Sequence, residues 1–290
     1  MCLVNSKVKG SIPSTRNRHS FATLSYFLHL CGMSVSLVIS VYNDVLSLAA
    51  VLRSVKAQSF QKFEVIIAQD GDDLCFDALI NTYNAFFPIQ HLKQADEGFL
   101  KNRILNEAIR RASYDKMVFI DGDCFLHPHF LKAYNQSIQK GKISMGRRID
   151  LDPKTTALVK DDIVIRPPFI TMIKNGTTRV EEVFYLPWLS QRFHSRPKLI
   201  GCNMGWHKED LFALNGFDED YTNPGYGEDS DIEWRAKKAG IEAYSVRYNA
   251  IQFHLDHTRP NREEKVSNSR ALFEQKKAAG LSFCERGVVR

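Results

Sequence analysis

The sequence predicts an α/β protein of a single domain, with a mixed, mostly parallel sheet flanked by helices. From residue 34 onward, apolar strands alternate with segments of helical periodicity, and this alternation requires crossover connections and a largely parallel sheet. Acidic residues follow two of these strands where they end. Ligands of such sheets bind beyond the carboxyl ends of the strands, so we expect one cleft at that edge.

The first half of the chain is expected to contain four strands separated by three helices. The strands are predicted at 35–41, 63–68, 89–93 and 117–121. The first helix begins after a capping aspartate, Asp44. The second extends from the acidic turn at 70–73 to about residue 87, and the third covers about 99–112.

The second half is less regular. Five prolines among aromatic and charged residues in 150–199 predict long loops over the cleft. A strand is expected near 199–206, followed by a helix over about 208–214. Further helices are predicted over 228–239, ending at Gly240, and over 261–279.

Charge and composition separate a short N-terminal segment from the rest. Four of the six net positive charges lie in residues 1–32, which contain no acidic residue. We interpret this segment as an extension outside the fold. The expected divisions are then a nucleotide-binding half at 33–145, an acceptor-binding and catalytic half at 146–260, and a C-terminal helix at 261–290. The small remaining charge argues against nucleic acid as a partner.

Cysteine usage indicates a reducing compartment. The six cysteines show neither a CxxC pair nor regular spacing, which favours free thiols over a disulfide framework or a zinc site. The apolar run in 21–31 is too short to span a bilayer. We therefore expect a cytoplasmic protein with at most peripheral membrane association.

The feature that carries most chemical information is the end of the strand at 117–121. Four apolar residues are followed by Asp121, Gly122 and Asp123. Along an extended backbone, residues two apart point to the same side, so the two carboxylates are expected to converge. Paired carboxylates suit Mg²⁺ or Mn²⁺, ions that commonly neutralise a diphosphate. An ordinary polar turn remains the alternative.

Several ordered motifs resemble the family 2 glycosyltransferases. They are the early Val-Ile-Ser-Val-Tyr-Asn at 38–43, the acidic strand end, and the late Gly-Glu-Asp-Ser-Asp at 227–231. The stretch 203–231 is similar to the module shared with galactosyltransferases, and the whole is similar to bacterial enzymes that build surface polysaccharides. The resemblance covers about 34–258. It implies the GT-A fold and an inverting, metal-dependent enzyme that uses a nucleotide sugar.

The resemblance also implies a nucleotide site. Within it, Asp70 is the acceptor expected beside the nucleobase, although Gln69 stands where the family has another aspartate. Lys101, Arg103 and Asn106 match a further family pattern, and Arg103 is expected to reach the nucleotide or its diphosphate because guanidinium groups suit phosphate oxygens. The residues expected at this site are Ser40, Val41, Tyr42, Asn43, Asp70, Arg103, Asp121 and Gly122.

The metal and catalytic residues are likewise implied by the resemblance. Asp123 is the expected metal ligand, completed by His254 or, as the alternate, His257. Asp229 is expected to be the general base, in the first turn of a helix where the macrodipole favours its ionised form. Glu228 is expected to orient the acceptor.

Two further positions, Trp206 and Gly227, are expected to shape the acceptor side, since aromatic faces stack on sugar rings. The function expected from these residues is transfer of a sugar from a UDP-linked donor to a glycan or lipid-linked acceptor. Two alternatives stay open at this point: a nucleotide- or glycan-binding protein without catalysis, and a metal-dependent phosphatase using the first aspartate of the Asp-x-Asp pair.

Overall fold

A seven-stranded sheet forms the centre of the molecule, with strand order β3-β2-β1-β4-β8-β6-β9. Its first four strands in this order are mutually parallel, while β8 is antiparallel to both of its neighbours. The strands are β1 (Val35–Val41), β2 (Phe63–Gln69), β3 (Ile89–Lys93), β4 (Lys116–Asp121), β6 (Lys142–Met145), β8 (Asn203–His207) and β9 (Glu242–Ser245).

This computed structural model describes residues 34–164, 167–189, 198–258 and 263–289, without the side chains of 263–265. The described residues belong to one compact unit. The predicted extension at 1–32 lies outside the described residues. Among the described helices, none is both long and apolar enough to cross a membrane.

Both faces of the central sheet are buried by helices. Along β1, Leu37 and Ile39 join one apolar cluster and Val38 joins the other, because successive side chains of a strand point to opposite faces. The helices are α1 (Val45–Lys56), α2 (Cys75–Tyr83), α3 (Lys101–Arg111), α4 (Phe130–Ser137), α5 (Pro153–Lys160), α6 (Phe169–Asn175), α7 (Lys208–Ala213), α8 (Glu228–Lys238) and α9 (Glu263–Ala279).

A second, three-stranded sheet lies beyond the end of β4. It comprises β5 (Cys124–Leu126), β10 (Gln252–His254) and β7 (Ile149–Asp150), with β10 in the middle. Its register places His254 opposite Cys124 on one side and Asp150 on the other. A late segment of the chain is thereby held beside the acidic end of β4.

The expectation of long loops over 150–199 was wrong in part. Helices α5 and α6 and a 3₁₀ turn at Val180–Val183 lie within this range, with irregular segments between them. The proline signal has a local explanation, since Pro153 is in the first turn of α5, where its missing N–H costs no hydrogen bond. Val159 and Met172 are fully buried in the apolar cluster of the small sheet.

Candidate active site

The carboxyl ends of β1 and β4 meet at one edge of the sheet and bring Ser40 beside Asp121. The Ser40 hydroxyl donates a hydrogen bond of 2.8 Å to Asp121 Oδ1. The Lys101 ammonium, from the first residue of α3, donates to the same oxygen at 2.8 Å. Ser40 and Asp121, both predicted nucleotide-site residues, therefore lie in contact. Lys101 joins them, although the sequence analysis had selected Arg103 as the cation of the site.

Neighbouring carboxylates keep the Lys101 ammonium protonated. Burial by itself would lower the pKa of its ammonium, but the carboxylates of Asp121 and Glu228 outweigh that effect and raise the pKa above its ordinary value. Glu228, at the start of α8, is thus one of the two carboxylates that stabilise the Lys101 cation. Lys101 thus links the predicted nucleotide side of the cleft to the predicted catalytic side.

The two aspartates of the acidic motif have different partners, Ser40 and Lys101 for Asp121 and two histidines for Asp123. Strand β4 ends at Asp121, and the chain turns at Gly122 and Asp123 before β5, so the strand alternation no longer applies. The Gly122 N–H donates to the carbonyl oxygen of Ser40 at 2.8 Å. A Cβ on Gly122 would lie 2.6 Å from a methyl group of Val41, so this turn requires glycine.

Asp123 instead faces two imidazoles. Its Oδ2 lies 3.4 Å from His254 Nε2 and 3.2 Å from His257 Nε2. The three residues each offer one ligand atom within 4.8 Å of the others. His254 is buried and its other nitrogen lies 3.5 Å from Asp150 Oδ1, whereas the His257 side chain is 33% exposed. The structure therefore brings both candidate histidines to the carboxylate that the sequence selected.

The electrostatics of this cluster favour an ionised carboxylate. Burial by itself would raise the pKa of Asp123, but His254 and His257 outweigh it and hold the pKa well below its ordinary value.

Asp150, whose carboxylate lies near His254, is a residue of this cluster that the sequence analysis did not identify. Nothing in the sequence near 150 signals a role, because its position depends on the pairing of β7 with β10.

The predicted nucleotide residues Tyr42 and Asp70 follow the ends of β1 and β2. The Tyr42 side chain is 52% exposed, and its hydroxyl donates to Asp96 Oδ2 at 3.0 Å. Asp70 is buried, and its carboxylate accepts hydrogen bonds from Gln94 Nε2 at 2.6 Å and from the Leu100 N–H at 3.0 Å. Burial raises the pKa of Asp70 in spite of these hydrogen bonds.

The remaining predicted nucleotide residues are placed as follows. Val41 is buried and pairs with Gln69 on β2, and Asn43 is exposed directly after β1. Arg103 is one turn into α3, where its guanidinium lies 3.9 Å from Glu97 and is 48% exposed. Lys101, and not Arg103, contacts the acidic end of β4.

The predicted catalytic pair begins α8. Gly227, the N-cap residue, has φ of +100°, a conformation that favours glycine, and a Cβ there would overlap the Tyr221 ring. Glu228 and Asp229 occupy the first turn, where the helix dipole stabilises negative charge. The Asp229 side chain packs beside Gly201, in the segment that leads into β8. The acidic start of α8 and the approach to β8 are therefore adjacent.

The structure does not bring Trp206 to this edge. Its side chain is fully buried in the core, and it pairs with Met117 at the start of β4, away from Asp121. Because β8 runs antiparallel to β4, the residue of β8 nearest the cleft is Asn203, opposite Ile120. Trp206 therefore presents no ring face to a sugar, and its expected place on the acceptor side is corrected to a core position.

Comparison with models of protein families identifies the family to which the chain belongs. Residues 36–196, more than half of the chain, match the model of the glycosyl transferase family 2. The chain belongs to that family. Residues 190–258 match the family described as the N-terminal domain of galactosyltransferase. The two matches together confirm the resemblance inferred from the motifs and cover both sides of the cleft.

The curated relatives of this family 2 glycosyltransferase are larger proteins. It is 25% identical over 239 residues to a chondroitin synthase of Escherichia coli, covering 77% of this chain and 34% of the relative. It is 23% identical over 226 residues to a hyaluronan synthase of Pasteurella multocida, covering 72% of this chain and 23% of the relative. The chain thus spans about a third of the first relative and about a quarter of the second.

Solved structures confirm the GT-A fold. The mannosyltransferase PcManGT of Pyrobaculum calidifontis, in complex with GDP-Man and Mn²⁺, superposes with a TM-score of 0.58 at 14% identity, over 85% of this chain and 64% of that one. Residues 1–349 of S. aureus TarS, in complex with UDP-GlcNAc, superpose with a TM-score of 0.59 at 14% identity, over 84% of this chain and 66% of that one.

Proposed function

We propose that this family 2 glycosyltransferase transfers a sugar, with inversion, from a UDP-linked donor to a glycan or lipid-linked acceptor in polysaccharide synthesis. The observation that carries the proposal is the convergence of Asp123, His254 and His257 beyond the end of β4. The named relatives are polysaccharide synthases, and one structural neighbour holds UDP-GlcNAc. We place the enzyme in the cytoplasm, with at most peripheral contact with the membrane.

A divalent ion fits the cluster formed by Asp123, His254 and His257. One carboxylate oxygen and two imidazole nitrogens within 4.8 Å form a mixed ligand set. Mg²⁺ prefers oxygen ligands, whereas Mn²⁺ also accepts nitrogen, so we favour Mn²⁺. When bound, the ion would neutralise the diphosphate and stabilise the charge of the leaving nucleoside diphosphate.

The nucleoside end of the donor is assigned to the ends of β1 and β2. The half-exposed Tyr42 ring offers a face for a nucleobase, and Asp70 at the end of β2 offers an acceptor for a base N–H. Asp121 and Ser40 would contact the ribose. Lys101 neutralises Asp121, which keeps the negative charge near the diphosphate low. Val41, Asn43, Gly122 and Arg103 complete the proposed nucleotide site.

Catalysis is assigned to Asp229. In a single displacement, the acceptor hydroxyl oxygen forms a bond to the anomeric carbon of the sugar while the bond from that carbon to the phosphate oxygen breaks. The Asp229 carboxylate takes the hydroxyl proton, and the nucleoside diphosphate leaves with the electron pair. Glu228 would hold the acceptor by a hydrogen bond, and Gly227, which makes room for the Tyr221 ring, would shape the acceptor side through the position of the first turn of α8.

Calorimetric titration of UDP tests the proposal. We expect UDP to bind in the presence of Mn²⁺, to lose its binding in EDTA, and to lose it in Asp123→Ala. The control is Asp161→Asn, which removes an exposed carboxylate at the end of α5 and should bind as the wild type does. Binding of GDP but not of UDP would overturn the assignment of the donor base. Binding of neither nucleotide would overturn the proposed transfer.

A further inference from the structure

Two cysteines lie in contact between the large and the small sheet, and the chemistry proposed above uses neither of them. Cys124 is the first residue of β5, and Cys202 lies in the turn that leads into β8. A side-chain hydrogen bond joins the two sulfur groups, and both are free thiols. Two thiols in contact are the starting point of a disulfide.

One amide group holds both sulfur atoms. Gln252 Nε2 donates to the Cys124 sulfur at 3.4 Å and to the Cys202 sulfur at 3.5 Å. The Gln252 side chain is fully buried on β10, and the pairing of β10 with β5 fixes its position. Cys124 is therefore held within a strand, whereas Cys202 lies in a turn. A local movement of that turn would bring the sulfurs to the S–S distance of about 2.05 Å.

The Cys124 thiol also contacts the proposed metal cluster. It follows Asp123 in the chain and donates a hydrogen bond of 3.5 Å to Asp123 Oδ1. On its other side, Cys124 pairs with His254 in the small sheet. An S–S bond replaces the hydrogen atom of the thiol, so the hydrogen bond to the Asp123 carboxylate is lost when a disulfide forms.

Cys202 is connected to the same cluster by a second route. Arg148 Nη1 donates to the Cys202 sulfur at 3.5 Å, and Arg148 Nε lies 3.0 Å from Asp150 Oδ1. That carboxylate oxygen lies 3.5 Å from His254 Nδ1. Groups that orient a metal-binding imidazole influence its affinity for the ion. A change at the Cys202 sulfur therefore acts on His254 through Arg148 and Asp150.

The turn that carries Cys202 also packs against the predicted base. A Cβ on Gly201, the residue before Cys202, would lie 3.8 Å from the Asp229 Cβ. A disulfide that draws this turn toward β5 would therefore shift it relative to the start of α8. The two cysteines thus lie between the predicted metal ligands and the predicted base.

From these contacts we propose that Cys124 and Cys202 form a reversible disulfide in the presence of hydrogen peroxide, and that this disulfide weakens binding of the divalent ion. In a reducing compartment the two thiols stay reduced, and the disulfides that do form there are usually transient and redox-sensing. Formation of the bond does not depend on the proposed function. Its effect on the ion and on the nucleotide rests on that function.

Cys202 reacts first, because it is 3% exposed and Cys124 is fully buried. The Cys202 sulfur attacks one oxygen of the peroxide and the O–O bond breaks, which gives a sulfenic acid and one water. The Cys124 sulfur then attacks the sulfenic sulfur. The S–S bond forms, the S–O bond breaks, and the departing hydroxide leaves as water with the Cys124 proton. The two thiols lose two electrons in total, and one hydrogen peroxide is reduced to two waters.

Peptide mass spectrometry of the full chain tests the disulfide. The reduced protein is treated with hydrogen peroxide, the remaining thiols are alkylated, and the digest is searched for a link between residues 124 and 202. We expect this link in the wild type and in Cys75→Ser, which removes an exposed cysteine. Dithiothreitol should remove it. Peroxide treatment of the wild type without a 124–202 link would overturn the proposal.

Calorimetric titration of Mn²⁺ measures the consequence. Oxidation should weaken Mn²⁺ binding by about 10–100-fold, the loss typical when a residue that supports a metal ligand is altered, and reduction should restore it. Cys202→Ala and Cys124→Ala should each bind Mn²⁺ equally well before and after peroxide, because neither can form the bond. Cys75→Ser should respond as the wild type does. An unchanged affinity in the linked wild type, or an equal loss in the two alanine variants, would contradict the proposed effect.

Titration of UDP into the reduced and oxidised samples separates this inference from the proposed function. A 124–202 link in a protein that binds neither Mn²⁺ nor UDP when reduced would confirm the disulfide and overturn the transferase proposal together with the regulatory effect. Metal-dependent binding of UDP by the reduced protein, without a link after peroxide, would overturn the disulfide alone.

Discussion

At the scale of single residues, neighbouring charges distinguish the two aspartates at the end of β4. Asp121 is neutralised by Lys101 and Ser40, whereas Asp123 faces His254 and His257. A carboxylate that already has a lysine partner is a poorer ligand for a cation than one between two imidazoles. The two carboxylates of the Asp-x-Asp motif therefore suit different proposed roles, Asp121 in the proposed nucleotide site and Asp123 in the proposed metal site.

The general base gives a prediction at the same scale. Asp229→Asn keeps the size of the side chain and removes its ability to take a proton, so transfer should fall by about 10²–10⁴-fold while UDP binding is retained. Turnover of UDP-sugars and calorimetry with UDP measure the two effects. Asp161→Asn serves as the control, since its carboxylate is exposed at the end of α5. A variant at 229 with wild-type turnover would exclude Asp229 as the base.

At the scale of elements, the C-terminal segment contributes to the core. Val288 is 3% exposed and belongs to the apolar cluster beneath α3, whereas its neighbour Val289 is 52% exposed. Val288→Ala should lower the free energy of unfolding by about 1–3 kcal/mol because it leaves a cavity. Val289→Ala should change it by less than about 0.5 kcal/mol. Urea denaturation of the two variants makes this comparison, and equal stability would show that the segment does not pack on the core.

The N-cap residue of α5, Asp152, predicts that the stability of the fold depends on pH. Asp152 is buried and accepts hydrogen bonds from the Thr155 N–H at 2.9 Å and the Thr177 hydroxyl at 2.8 Å. Burial alone would raise the pKa of Asp152, but these hydrogen bonds outweigh it and lower the pKa. A lowered pKa stabilises the fold above the ordinary carboxyl pKa, and this stability is lost as the pH falls through the lowered value.

Asp152→Asn tests that dependence. Near neutral pH the variant should be less stable by about 1 kcal/mol. The difference from the wild type should shrink as the pH is lowered below about 4. Denaturation at several pH values measures it, and Asp161→Asn at the other end of α5 should show no such trend. A difference that stays constant with pH would mean that the charge of Asp152 has no role.

At the scale of the whole molecule, local pattern predicted the central strands and missed the small sheet. The apolar runs of β1, β2 and β4 are long and buried on both faces, so they stand out in the sequence. Strands β5, β7 and β10 have two or three residues each. Their pairing depends on contacts between distant parts of the chain, and the hydrophobic periodicity of a short segment does not reveal such contacts.

The candidate site shows the same division. Motif order predicted that Asp123 and a late histidine lie together, as His254 does, and that Asp229 lies in the first turn of a helix, because strand ends and helix starts are local signals. The side-chain partners could not be predicted locally: Lys101 contacts Asp121 and Arg103 lies near Glu97, and the Trp206 side chain lies in the core. An aromatic residue in an apolar strand has the same local pattern whether it faces a ligand or the interior.

Metal binding should stabilise the whole molecule, because its ligands join two sheets. Asp123 follows β4 of the large sheet, and His254 and His257 come from β10 and the residues after it. An ion that binds only the folded state adds about 2.7 kcal/mol at a free concentration of one hundred times its Kd. Mn²⁺ without nucleotide should therefore raise the midpoint of thermal unfolding, and EDTA should reverse the rise. The increase should disappear in Asp123→Ala and persist in Asp161→Asn.

Comparison of His254→Ala with His257→Ala then measures the contribution of each histidine to metal binding. The buried His254 lies near two carboxylates, so its loss should abolish the increase, whereas loss of the more exposed His257 should only reduce it. A thermal midpoint that Mn²⁺ leaves unchanged in the wild type would remove the metal from the proposed mechanism.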